Sequence, residues 1–170
     1  MTRGRWMLAA AVATVLITAA TVPLPWLAVR DGHDWRFALP GWHGTTFKIR
    51  WMHSVEKEDW EEWFAITPSG AIEITGTRFK TFGAGVPSHA GTETHLDDGW
   101  VVMTGIDRVV DPYAVQAAVE EHYRLIFHGR AIALSRSDPP PILTFAVVDA
   151  PLWQALPALV RTLNGALDSQ

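Results

Sequence analysis

Three short runs hold most of the residues able to do chemistry. His53-Ser54-Val55-Glu56 sets an imidazole and a carboxylate three positions apart. Trp60-Glu61-Glu62-Trp63-Phe64 places two acids among aromatics, and Gly83-Ala84-Gly85-Val86-Pro87 is a glycine loop closed by proline. Across a turn, His53 and Glu56 are within hydrogen-bond reach. If the chain is extended from Trp60 onward, Glu61 and Glu62 point to opposite faces, and Glu62 is expected to look inward or along the rim. In one reading His53, Ser54, Glu56, Glu62, Gly83, Gly85 and Pro87 form a polar pocket for a ligand or cation. In the other they are a structural network, in which a buried carboxylate accepts from His53 and from loop N–H groups. The glycine loop is either a backbone nest for an anion or a tight turn that Pro87 ends. No helix signal follows it, so a phosphate-binding loop of the usual kind is not expected.

Other chemistries have weaker support. His89, Glu93 and His95 share one loop, but His-x3-Glu-x-His is not a recognised metal spacing. Neither a metal nor another cofactor is expected. The chain has no cysteine, which excludes thiol catalysis and thiolate ligands. Ser54 beside His53 is not a nucleophile–base pair by adjacency, and no Gly-x-Ser-x-Gly elbow is present. No catalytic residue is assigned, and an esterase-like enzyme is the third choice.

Strands must position these runs. Residues 45–53 alternate with β-branched and aromatic side chains, which predicts a strand. Residues 60–67 predict a second, and Pro68-Ser69-Gly70 a turn. Residues 71–82 predict a third, bent at Gly76, followed by a long loop over 83–99 and a strand over 100–106. Residues 113–121 suit helix or strand, and strand is preferred because 123–127 and 130–134 form a hairpin beside it around His128-Gly129. A last strand is expected over 142–148. Residues 151–167 predict a helix with Leu152, Trp153, Leu156, Leu159, Val160 and Leu163 on one face, kinked at Pro157. It would cover a sheet edge or meet a partner. The expected fold is all-β, a compact sandwich or barrel-like domain with a helix at each end.

The N-terminus carries Arg3 and Arg5, and residues 6–29 hold no charge. About 20 apolar residues cross a bilayer, so residues 6–29 are expected to anchor the protein with the N-terminus inside. A signal peptide cut near Thr18-Ala19-Ala20 is the competing expectation. Either places the domain outside the cytoplasmic membrane, anchored or released to the periplasm. The expected division is 1–29 anchor or signal, 30–44 tether, 45–150 β-domain and 151–170 helical appendage. Trp35 and Trp42 in the tether would pack on the domain or dock a membrane partner. Beyond residue 29, 12 basic side chains face 18 acidic ones, a balance of −6. Such a domain is a poor nucleic-acid binder.

Taken in order, the His-Ser-Val-Glu turn, the acid-plus-aromatic strand and the Gly-Ala-Gly-x-Pro loop resemble the bacterial family known as domain of unknown function 1850, over about Phe47 to Leu134. The resemblance implies an exported or membrane-anchored protein. Genes of that family often lie beside those of tripartite ATP-independent periplasmic (TRAP) transporters of the TAXI subgroup. It therefore implies a non-enzymatic accessory of solute uptake, with transporter membrane subunits or a solute-binding protein as partners. The alternative is a stand-alone periplasmic domain that binds a small ligand or metal.

Overall fold

A computed structural model describes residues 2–83 and 85–165, with backbone only at residues 2, 3, 15–17 and 19. Ala84 of the glycine loop, Ala19 as a side chain of the proposed cleavage site, and residues 166–170 of the expected C-terminal appendage lie outside that description. Helix α1 (Thr2–Thr21) leads into β1 (Pro23–Asp31), β2 (Asp34–Pro40), β3 (Thr46–Met52), β4 (Asp59–Ile66) and β5 (Ile72–Phe79). Then come β6 (Glu93–Asp97), β7 (Trp100–Val109), β8 (Tyr113–Gln116), β9 (Arg124–Phe127), β10 (Arg130–Ala133), β11 (Ile142–Pro151) and helix α2 (Leu152–Gly165).

The strands make two sheets. Sheet A has the order β2-β1-β11-β8, and sheet B the order β10-β9-β3-β4-β5-β7-β6. Alternate residues of both meet in one core: Leu27, Val29, Phe37 and Phe145 from sheet A against Phe47, Ile49, Phe64 and Leu125 from sheet B. Phe47 and Phe64 stack at 4.9 Å, and Phe47 and Phe145 at 6.2 Å. The opposite face of sheet A is covered by α2. Small residues on the helix permit close approach: Ala155, Ala158, Thr162 and Gly165 are buried, in contact with Trp26, Ala38 and Ala150. Thr162 Oγ1 accepts from the Ala38 N–H at 3.1 Å, and Arg161 Nε donates to the Arg36 carbonyl at 3.1 Å.

The fold class is therefore mixed and dominated by strands, which corrects the all-β expectation. Its helical layer is part of the structure, because α2 packs on sheet A, chiefly against β2. The expected apolar stripe on α2 is corrected in part. Leu152 and Leu159 pack toward sheet A beside the small residues, whereas Trp153, Leu156, Val160 and Leu163 are exposed.

The membrane anchor is overturned. Among the described residues, no helix is long and apolar enough to cross a membrane. The uncharged run 6–29 is divided between two elements: α1 ends at Thr21, and Leu27, Ala28 and Val29 are fully buried in β1. β1 pairs with β2 and β11 and is covered on both faces. A strand buried on both faces needs no polar alternation, so it reads as continuous hydrophobic chain. The membrane contact through residues 6–29, the docking on transporter membrane subunits that depended on it, and the membrane-anchored placement all lose their premise. Residues 34–40, expected as tether, form β2, with Phe37, Ala38 and Leu39 buried. Trp35 packs beside α2, whereas Trp42 is half exposed.

Elsewhere the strands fall close to their expected places. The bend at Gly76 is a register shift in the β5–β7 pairing. A Cβ there would meet the Trp63 ring at 2.7 Å, so only glycine admits that ring across the β4–β5 pair. His128 and Gly129 both have positive φ, 47° and 76°, the backbone that a two-residue hairpin loop requires. Residues 113–116 are a strand, but they pair with β11 in sheet A, away from the β9–β10 hairpin.

Candidate functional site

β4 carries the two neighbouring acids, and the pleat sends them to opposite faces. Trp60, Glu62, Phe64 and Ile66 share the parity of the inner face, while Glu61, Trp63 and Ala65 share that of the outer one.

On the outer face, Glu61 is 2% exposed and held by cations. Arg78, its partner across the β4–β5 pair, forms a two-pronged bridge: Nε to Oε2 and Nη2 to Oε1, both at 2.8 Å. Trp63 Nε1 donates to Oε2 at 3.3 Å. Arg50 and Lys48 of β3 approach at 3.5 and 3.9 Å. Burial alone would raise the carboxyl's pKa, but the Arg78 and Trp63 hydrogen bonds and the nearby positive charges hold it below the ordinary glutamate range. Arg78 also lies over Trp100, 4.3 Å from the ring centroid.

On the inner face, Glu62 has one hydrogen-bond partner among the described residues. Tyr113 of β8 donates its hydroxyl to Oε2 at 2.8 Å, so the bond joins sheet A to sheet B. Burial pushes the Glu62 carboxyl above its ordinary range, against the opposing pull of Tyr113 and the more distant Arg108. Burial and the facing carboxylate likewise raise the Tyr113 phenol, which stays protonated as a donor.

Glu62 lines a cleft of about 530 Å3, walled by Trp51 and Trp60 on one side and by Gly85, Pro87, His89 and Arg108 on the other. Thr77 is also there, with its hydroxyl committed: it accepts from Trp60 Nε1 at 2.7 Å and donates to the Glu61 carbonyl at 2.8 Å. An aromatic column backs the cleft. Trp51 stacks on Trp60 at 5.3 Å and on Tyr123 at 5.5 Å, and Phe79 meets Trp60 at 5.5 Å.

The other expected site residues form a second, adjoining cluster. His53 Nδ1 contacts Glu56 Oε2 across the β3–β4 turn, and the imidazole stacks on Trp60 at 5.4 Å. Glu56 in turn packs against the glycine loop. A Cβ on Gly83 would lie 1.7 Å from Glu56 Oε1, so the carboxylate occupies the space that any other side chain at position 83 would need. Gly85 has φ +79°, which glycine adopts without strain. Ser54 is exposed on the turn.

The geometry thus divides the expected cluster at Trp60. Gly85 and Pro87 join Glu62, while Gly83 joins His53 and Glu56; among the described residues no hydrogen bond links His53 to Glu62. Sequence reasoning missed Tyr113 and Arg108. Tyr113 is 51 positions from Glu62 and on the other sheet, so no local signal pairs them. The Glu61–Arg78 bridge was open to inference, because adjacent antiparallel strands carry an Arg opposite an acid. His89 reaches the cleft, whereas Glu93 and His95 are exposed on the edge strand β6. Among the described residues no three His, Cys, Asp or Glu side chains converge as metal ligands would.

A family model described as a domain of unknown function, DUF1850, matches residues 47–134, the stretch from β3 through β10. No curated protein and no solved structure matches the chain.

Proposed function

The chain belongs to the DUF1850 family, and we propose that it is a non-enzymatic binding module for a small solute held in the Glu62 cleft. One observation carries this reading: Glu62 is a partly buried carboxyl bonded to Tyr113 and lining a cleft of about 530 Å3. A cleft of that size falls within the range of small-ligand pockets, about 300–1,000 Å3. A hydrogen bond to a charged group contributes about 1.5–3 kcal/mol, and a ligand's hydroxyl or ammonium group would add one to Glu62. The Trp51 and Trp60 rings offer an apolar wall for the body of the solute. Arg108 and His89 stand at the cleft for a polar or acidic substituent. An accessory role in solute uptake of the TAXI type is the setting that the family resemblance supplies for such a module.

The test is thermal unfolding and calorimetry of the full chain against a panel of small amines and hydroxylated solutes. A binder should raise the unfolding midpoint of the wild type. Glu62→Gln should fold at least as stably and lose most of that rise. A midpoint rise that survives unchanged in Glu62→Gln, or no rise with any donor-bearing solute, would sink the proposal.

A further inference from the structure

The outer face of sheet B carries a second feature, independent of the Glu62 cleft. A groove of about 660 Å3 lies where β3 and β9 reach the β3–β4 turn. Its cations are Arg50, Lys57, Lys80 and Arg124, joined by His122; its acids are Glu58 and Asp59. The whole chain has a formal net charge of −4, so this excess of positive charge runs against the composition.

The cations are not a solvated surface spread at random. Arg50 and Arg124 are direct partners in the β3–β9 register, and two like charges side by side across a strand pair destabilise a sheet. On its other side Arg50 is the register partner of Glu61, which in turn is paired with Arg78. One row across the sheet therefore reads Arg124, Arg50, Glu61, Arg78, three guanidiniums to one carboxylate. Both acids of the groove are already engaged: Asp59 with Arg50 and Glu58 with Thr81. Among the described residues, Lys57 and Arg124 have no carboxylate partner. Lys80 lies over the Trp100 ring, 4.4 Å from its centroid. Lys57 and His122 both have left-handed backbone, φ 55° and 51°, a conformation that costs a non-glycine residue free energy.

We propose that this groove is a binding site for a small multivalent oxyanion, with Arg50 and Arg124 as the paired forks and Lys57 and Lys80 as flanking charges. A guanidinium donates two parallel N–H bonds to a carboxylate or phosphate. An anion bound beside Arg124 would offset the like charges that the register sets side by side. Asp59 fixes the Arg50 guanidinium in advance, so little side-chain freedom is lost on binding. Phosphoryl and polycarboxylate ligands share this chemistry.

The experiment is calorimetric titration of the full chain with inorganic phosphate and, separately, with citrate, at low ionic strength, with thermal unfolding in parallel. One anion should bind saturably at a single site and raise the unfolding midpoint. The tighter of the two names the ligand class. Lys57→Ala with Arg124→Ala should weaken binding about tenfold for each cation removed, while the anion-free midpoint stays level or rises as the Arg50–Arg124 repulsion is relieved. Glu62→Gln should leave this binding unchanged, which separates it from the solute cleft. Absence of saturable binding by both anions would overturn the proposal. So would equal affinity in the double variant, or a double variant whose anion-free midpoint falls sharply, because Arg124 would then be structural.

Discussion

Glu61 and Glu62 are neighbours in the chain, and the fold treats them in opposite ways. Glu61 is almost fully covered, yet its carboxyl ionises more readily than an ordinary glutamate, because Arg78 grips both oxygens. Glu62 looks into a cleft, yet its carboxyl is pushed up, because burial outweighs the opposing pull of its Tyr113 hydrogen bond. Covering a charge and satisfying it are separate matters. A carboxylate that is covered and satisfied is part of the framework. One that is desolvated and only half satisfied is where a ligand gains most by binding.

The largest test of this contrast is Glu61→Ala. It strands Arg78 and Arg50 without their shared anion, and loss of one partner of a covered pair costs about 3–5 kcal/mol. Chemical denaturation should show a clear fall in midpoint at neutral pH. Next is Tyr113→Phe, which removes the one hydrogen bond to Glu62 and ties the sheets together less firmly. The expected loss is about 1.5–3 kcal/mol, the range for a hydrogen bond to a charged group, read by the same method. An equal loss in a Glu62→Ala background, which lacks the acceptor, would show that the bond is not what the phenol contributes.

Glu62→Gln is smaller and of opposite sign. A carboxyl whose folded pKa is raised costs stability once pH passes its unfolded value, and the cost is complete above the folded value. Stability attributable to Glu62 therefore falls as pH rises through that window. The amide removes the charge, so the variant should be more stable than wild type at pH 8, with the difference shrinking toward pH 4. Glu61 works the other way. Its pKa is lowered, so its contribution is present above the unfolded value and is lost as pH falls through the folded one. NMR titration of the two side-chain carboxyls should place them on either side of the ordinary glutamate value; a shared midpoint would break the comparison. The smallest effect is Lys48→Ala. Lys48 is 46% exposed and 3.9 Å from Glu61, so the change should cost below about 1 kcal/mol and shrink further in salt.

Most of sheet B was legible because its strands follow the simple rule of one buried and one exposed face. The alternation of Phe47, Ile49 and Trp51 against Lys48 and Arg50 announces β3. The opposed faces of Glu61 and Glu62 follow from it directly. In sheet A, β8 and β11 fall on expected strands, but β1 and β2 were not legible, for a physical reason. Leu24 to Val29 is apolar throughout because sheet B covers one side of β1 and α2 the other. Local composition cannot tell that strand from a membrane segment. β6 hid for the opposite reason: Glu93 to Asp97 is exposed at every position, so no buried face marks it. The His53–Glu56 contact was within reach of spacing alone, whereas the Tyr113–Glu62 bond needed the packing of two sheets.

The placement of β1 also has a consequence in time. Leu27 pairs with Val147, so one of the first strands to leave a ribosome waits for one of the last. At about 5–20 residues per second, the intervening 120 residues take roughly 6–24 s to make. Through that interval β1, with Leu27, Ala28 and Val29 destined for full burial, can pair with β2 on one edge, while its other edge stays open. The matched stretch 47–134 is completed in the meantime, and sheet B can assemble within it. The nascent chain is therefore a half-built sandwich with a bare hydrophobic strand at its rear, the segment most in need of a chaperone until β11 arrives.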